Sequence, residues 1–422
     1  MKINLHTFGL YSILLLLMMV LVHKEMAKLF VFYREIFGLV FIVLLLRQRF
    51  SDISHSMLNK KVFIEILLLA LFPLIIIILA LVDPMVKLYG DSLSVGVTSY
   101  DGSVNSKLYV FRNAVLYLPM VFYIAVRGLS LSDINKIAGI CAFIAPISII
   151  IFMARLSDYS VVSEFVRMIT GKIQIEYNTF VPCFTFSVLS IVYLLELNYK
   201  KYSLLIKMSL MLILVFECSF IFYSTSRQAL LLAIIYISIF LAKNLSVSQL
   251  KNILYYAIFV VFLYYLYYWF TLNYGENYRL TSRLSDQLLS SPRIQIAIKG
   301  LGLLDTIELF TGAGLTSVLV SGPHNDYIRW IQRIGLIFAF ISFYPYFSVM
   351  FKSFIDTLSY KKDSAYLYIF CATLFIIYNS FFGYPREDAY QSIFCFLGIS
   401  MWLGYNNYNQ RKKLWMQVDR IP

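Results

Sequence analysis

The chain has 422 residues, of which 60% are hydrophobic and 14% charged, with a mean hydropathy of +0.75 and a net charge of +13. So little charge cannot coat two or three water-facing domains, which excludes an ordinary soluble multidomain enzyme. The basic excess would fit nucleic acid in a soluble chain, but its distribution assigns it to topology instead, and nucleic acid is excluded as a partner.

Apolar runs separated by polar breaks predict an all-α fold, a polytopic integral membrane protein with about 12 transmembrane helices. In chain order they cover approximately 5–22, 29–46, 63–82, 108–126, 137–153, 178–195, 204–223, 228–242, 252–272, 327–351, 364–379 and 390–405. The first lacks a small-residue cleavage site and reads as a retained span rather than a signal peptide. Cys141, Cys183, Cys218, Cys371 and Cys395 lie within or beside apolar runs with no close pair among them, so neither a disulfide framework nor a zinc site is expected. An even number of spans puts both termini on one side. The segments on that side carry Arg47, Arg49, Lys60, Lys61, Lys200, Lys201, Lys361, Lys362 and Arg411–Lys413, whereas the opposite loops are nearly neutral. The positive-inside rule then makes both termini cytoplasmic. The expected organisation is one transmembrane domain over 1–422 with a large outer loop at 273–326. No inner loop is long enough for a nucleotide-binding domain, there is no Walker motif, and the halves do not repeat as in many transporters.

Polar residues interrupt this pattern at a few places. Arg34 and Glu35 fall in the second expected span and Arg112 near the outer end of the fourth, where ions face protein or a polar cavity. Ser224-Thr225-Ser226-Arg227-Gln228 forms a tight turn whose arginine has hydroxyl neighbours, a donor set suited to phosphate oxygens. In the long loop Leu280, Leu284 and Leu288 recur every four residues with Arg279 and Arg283 elsewhere around the helix, an amphipathic pattern for a membrane surface. Ser291-Pro292 opens a further helix with Arg293 in its first turn, compatible with an anion held by the side chain and nearby N–H groups. After a Gly312-Ala313-Gly314 corner, Asn325 is an N-cap with Asp326 in the first turn of the next helix. His324 then sits at that helix's mouth, with Tyr327 just inside. Arg329 and Arg333 share one face, to be met by lipid headgroups or by a phosphate.

Ser226-Arg227-Gln228-Ala229-Leu230-Leu231, Ser291-Pro292-Arg293, Thr311-Gly312-Ala313-Gly314 and Pro323-His324-Asn325-Asp326-Tyr327-Ile328, with Gly335 downstream, occur in an order that resembles the polytopic O-antigen polymerase and ligase superfamily. That resemblance implies a GT-C-like bacterial inner-membrane protein. Its activity would be metal-independent glycosyl transfer in lipopolysaccharide or other surface-polysaccharide biosynthesis, with no cofactor. The donor and acceptor would be undecaprenyl-pyrophosphate-linked oligosaccharides, among membrane lipids, and a chain-length regulator protein is a further implied partner. Arg227 and Arg293 would hold the diphosphate at the periplasmic face, and His324 would act as base or acceptor-orienting group. Arg279, Arg283, Asn325, Tyr327, Arg329, Arg333 and Arg112 would bind substrate; no metal ligands are expected. A polymerase is the leading expectation, with a ligase acting on lipid A-core, or a lipid-linked oligosaccharide flippase, as alternatives.

Overall fold

The structure is a computed structural model that describes residues 8–13, 15–16, 33–51, 63–71, 117–155, 177–198, 202–223, 227–244, 298–313, 325–360, 363–381 and 391–418. The described residues contain helices, turns and bends and no strand. Their contacts divide the chain into two units, one made of Met1–Ile137 with Pro292–Pro422 and the other of Ala138–Ser291.

In the first unit lie α1 (Tyr33–Ser51), α2 (Tyr117–Arg127) and the start of α3 (Leu131–Arg155). Ser130 and Asp133 cap α3 reciprocally: the Ser130 N–H donates to Asp133 Oδ2 at 3.0 Å and the Asp133 N–H to Ser130 Oγ at 3.2 Å. This satisfies donors that a helix start leaves open. The last carbonyls of α2 are met from a distant part of the chain. Asn407 Nδ2 donates to Ala125 O at 2.7 Å and Arg411 to Val126 O at 2.8 Å, both from α10 (Gln391–Val418). Aromatic side chains fill the space between helices, with Tyr117 stacked on Phe396 at 5.2 Å and Phe375 beside Phe394 at 6.0 Å.

Before α10 come α7 (Thr306–Thr311), α8 (Asp326–Ser359) and α9 (Ser364–Ser380). Asp363 is the N-cap of α9, accepting from the Ala365 N–H, and its other oxygen accepts from the Tyr405 hydroxyl at 2.6 Å. Burial lifts the Tyr405 phenol above its ordinary range, and the neighbouring Asp363 acts in the same direction.

The second unit holds α4 (Tyr177–Asn198), α5 (Leu204–Tyr223) and α6 (Arg227–Asn244). Val181, Phe184, Val188, Phe220, Ile221, Ala229 and Ala233 form its core, with Phe184 edge-on to Phe220 at 5.3 Å. Lys243 reaches Glu196 at 2.7 Å and ties the end of α6 to the end of α4.

These packed helices correct the expected 12-span, GT-C-like membrane architecture. Among the described residues two helices, Leu204–Ile221 and Asp326–Ser359, are long and apolar enough to cross a membrane; Ile36–Arg47, Tyr117–Arg127, Val181–Leu197, Gln228–Lys243 and Ser364–Ser380 are shorter apolar helices of 10–17 residues. The physical reason is that a helix apolar on every side needs only an apolar surrounding, which protein supplies as well as lipid. Residues 181–189 of α4, 364–369 of α9 and 393–403 of α10 are buried without a break, so protein encloses them all round. With the spans goes the expected topology, a multi-pass inner-membrane chain with both termini cytoplasmic. The expected span at 252–272 and most of the loop at 273–326 lie outside the described residues. The described part of that loop contains a helical turn at 298–302 and α7.

Burial is uneven. On α5, Leu204, Leu205 and Leu212 are each more than 70% exposed. On α8 the exposed residues Ile337, Phe340, Tyr344, Phe347, Phe351, Phe354 and Leu358 recur at three- and four-residue steps and so line one face.

Candidate functional site

The start of α8 is the one place where several of the residues singled out in the sequence are described together. Asn325 caps it, its side-chain oxygen accepting from the Ile328 N–H at 3.1 Å while its amide donates to Phe381 O at 3.3 Å. Short polar side chains favour this position because they replace a helical partner that the first turn lacks. Asn325→Ala is expected to cost about 1 kcal/mol of stability, measured as a shift in the unfolding midpoint. Tyr327 points toward α9, its hydroxyl donating to Ile377 O at 2.9 Å and its ring lying 4.4 Å from Phe343 and 4.8 Å from Phe381. Both residues, expected to bind substrate, tie α8 to the end of α9.

One turn further in, polar groups lie deep. Asp326 is fully buried, and Arg329 and Gln332 are nearly so, around a fully buried Trp330. Asp326 precedes Arg329 by one helical turn, so this cation has an acid on its own face, which the sequence reasoning overlooked. Arg333 places its guanidinium 5.5 Å from the centre of the Trp330 ring, a cation–π contact. Among the described residues the first turns of α8 hold the guanidinium groups of Arg329 and Arg333 and the carboxyl group of Asp326. Gln332 Nε2 is buried and meets no acceptor among the described residues.

Backbone geometry fixes this cluster. Gly335 adopts φ 77°, ψ 166° and breaks α8 between its polar first turns and its apolar remainder. The break releases the Gln332 carbonyl from the helix, and the Ala313 N–H takes it at 2.8 Å. Ala313 is placed by α7, whose start carries a capping box between Asp305 and Glu308 and whose end turns at Gly312, φ 87°. A β-carbon on Gly335 would stand 2.1 Å from Phe310 O, and one on Gly312 would stand 2.4 Å from Arg333 O. Two bare backbones therefore cross at this point, which only glycine permits on both sides.

The other named residues are not gathered here by anything described. Arg112, Arg279, Arg283, Arg293 and His324 lie outside the described residues, and of Arg227 only the backbone is described, as the first residue of α6. Glu65 pairs with Lys352 and accepts from Ser348 Oγ at 3.1 Å. Nothing local in the sequence marks a pairing across 287 positions. Among the described residues no group of three or more His, Cys, Asp or Glu side chains could hold a metal ion.

The assignment as a polyprenyl-pyrophosphate-dependent glycosyltransferase is corrected on these grounds. It required a multi-span frame with an outward-facing site between the spans, and the described helices form no such frame. The polymerase function, its ligase and flippase alternatives, the place in lipopolysaccharide biosynthesis and the periplasmic active site depend on that frame and fall with it. Comparison of the chain with protein families, with curated proteins and with solved structures returns no match, so the resemblance to the O-antigen polymerase and ligase superfamily is not upheld.

Proposed function

We propose that this protein binds an anionic lipid, with the start of α8 receiving the phosphate and the exposed face of α8 receiving the hydrocarbon. The observation that carries the reading is the succession of two adjoining helical segments across the Gly335 break. Arg329 and Arg333 lie in the first turns of α8, and beyond Gly335 an exposed stripe of Phe, Ile, Leu and Tyr runs from residue 337 to 358. At the rise of an α-helix that stripe is roughly 30 Å long, comparable to a lipid hydrocarbon layer. Exposed apolar surface of that extent marks an interaction site. Its lack of charge, beside a cationic end, matches a ligand that is apolar along its length and anionic at one tip. The net charge of +13 favours anionic over zwitterionic lipid in the same sense.

The test is lipid retention. Purified protein is equilibrated with mixed phosphatidylglycerol and phosphatidylcholine, passed through size exclusion, and its bound phospholipid is analysed by class. The wild type is expected to enrich phosphatidylglycerol. Arg333→Gln is expected to lower that enrichment about tenfold, the loss of one charge-assisted hydrogen bond, while Arg333→Lys keeps part of it. Equal retention of both lipids by wild type and variant would overturn the reading.

A further inference from the structure

The second unit contains a buried carboxyl group whose protonation state is set by hydrogen-bond counting. Glu217 of α5 is fully buried, and its Oε1 lies 2.7 Å from Ser187 Oγ of α4. The same Ser187 oxygen lies 3.0 Å from the backbone carbonyl of Ala142 on α3. A hydroxyl has one proton to give, and a carbonyl oxygen can only accept. If Ser187 donates to Ala142 O, it has nothing left for Glu217, and two oxygens 2.7 Å apart need a proton between them. A carboxylic acid on Glu217 supplies it: Glu217 donates to Ser187, and Ser187 donates to Ala142. The second carboxyl oxygen, Glu217 Oε2, is buried with no partner among the described residues, a position that suits an uncharged acid far better than a carboxylate.

We infer that Glu217 is a protonated acid at neutral pH and that the chain Glu217–Ser187–Ala142 is a proton-dependent latch joining α5, α4 and α3 of this unit. Desolvation independently pushes the Glu217 carboxyl well above the usual carboxylate range, with the Ser187 hydrogen bond opposing it. The groups around the latch are neutral or spoken for. Cys218 follows Glu217 on α5 and its thiol is pushed up to about 12; Cys141 on α3, pushed up to about 12 as well, is hydrogen-bonded with Ser190 of α4. From α6 Lys243 is paired with Glu196. Among the described residues no cation reaches Glu217 to hold it as a carboxylate.

The sign of the pH effect follows. With its pKa raised in the folded state, the group binds more protons folded than unfolded at every pH between the two values. The stability it contributes is complete below the ordinary glutamate range and is lost as pH rises toward the folded value. Loss of the proton would leave a bare carboxylate facing a hydroxyl that serves another acceptor, and the three helices would part.

The experiment uses the full chain and two readouts. Infrared spectra at pH 7 of the wild type and of Glu217→Gln should differ by the band of one buried protonated carboxyl group, present in the wild type and absent in the variant. Unfolding midpoints taken from pH 5 to pH 9 should fall with pH in the wild type and fall less in Glu217→Gln, whose amide donates to Ser187 at any pH. Ser187→Ala tests the wiring, since it should keep the protonated-carboxyl band but change its frequency; an unchanged frequency would mean that Glu217 does not donate to Ser187. A wild type without that band at pH 7, or a variant with an unchanged pH profile, would overturn the inference.

Discussion

Gly335→Ala is expected to destabilise the first unit by roughly 2–6 kcal/mol, adding about 1–3 for a backbone conformation that L-residues avoid to about 1–3 for forced overlap. The two contributions have separate causes. At φ 77°, ψ 166° the backbone sits where essentially glycine alone rests without strain. A methyl group there would also meet the backbone of α7, with Phe310 O at 2.1 Å and Thr311 N at 2.5 Å, atoms that no side-chain rotation can clear. The chain would relax by withdrawing α7 and Gly312, which breaks the bond from Ala313 N–H to Gln332 O. Gly139→Ala provides the control within the same protein. It lies inside α3 with nothing within 4 Å of the added carbon, so alanine's helix propensity should leave stability unchanged or raise it by up to about 1 kcal/mol. Chemical denaturation of the two variants decides the matter: a Gly335→Ala loss no larger than that of Gly139→Ala would mean the backbone crossing is not rigid. The same variant should weaken phosphatidylglycerol retention, because the crossing places the first turns that carry Arg329 and Arg333.

How much of this was legible in the sequence depended on the range of the interaction. The Asn325 cap could be read directly, since capping joins residues three apart and the backbone dictates which side chains suit it. Gly312 and Gly335 could each be seen as glycines beside or within a helix, but their meeting could not, because it depends on how α7 lies on α8. Apolar runs such as 204–223 and 364–379 mark helices, since their length and composition fit nothing else. What surrounds each helix is a separate question that composition does not answer. Ser364–Ser380 is enclosed by protein, whereas Leu204–Tyr223 leaves one side bare. The reading of twelve spans treated every such run alike and went astray there. Charges behaved in the same way. A lone acid in an apolar run announces that it needs a partner, yet Glu65 found a lysine and Glu217 a serine, and neither partner stands near in the chain.

The Glu65–Lys352 pair gives the second large expected effect. The Glu65 side chain is only 3% exposed and Lys352 reaches it from α8, together with the Ser348 hydroxyl one turn earlier; Lys352 itself is 42% exposed and rests 6.0 Å from the Trp402 ring. The asymmetry decides which substitution does the damage. Lys352→Met removes a half-solvated cation and leaves a carboxylate buried with a hydroxyl as its sole remaining polar partner among the described residues, at a cost of about 3 kcal/mol, the low end for a broken buried pair because one partner keeps its water. Glu65→Gln keeps the shape and the contact to Ser348, and frees a lysine that can turn to solvent, so it should cost about 1 kcal/mol. In the double variant the stranded charge is gone and the methionine packs on Trp402, so most of the Lys352→Met loss should return. A double-mutant cycle by denaturant unfolding would then yield a coupling energy of about 3 kcal/mol. A Lys352→Met cost below about 1 kcal/mol would place the pair with surface ion pairs, whose solvation cancels their attraction. A double variant no more stable than Lys352→Met alone would show that the lysine acts through Trp402 and the neighbouring Asp356 network, where Trp402 Nε1 donates to Asp356 at 3.0 Å, and not through the buried carboxylate.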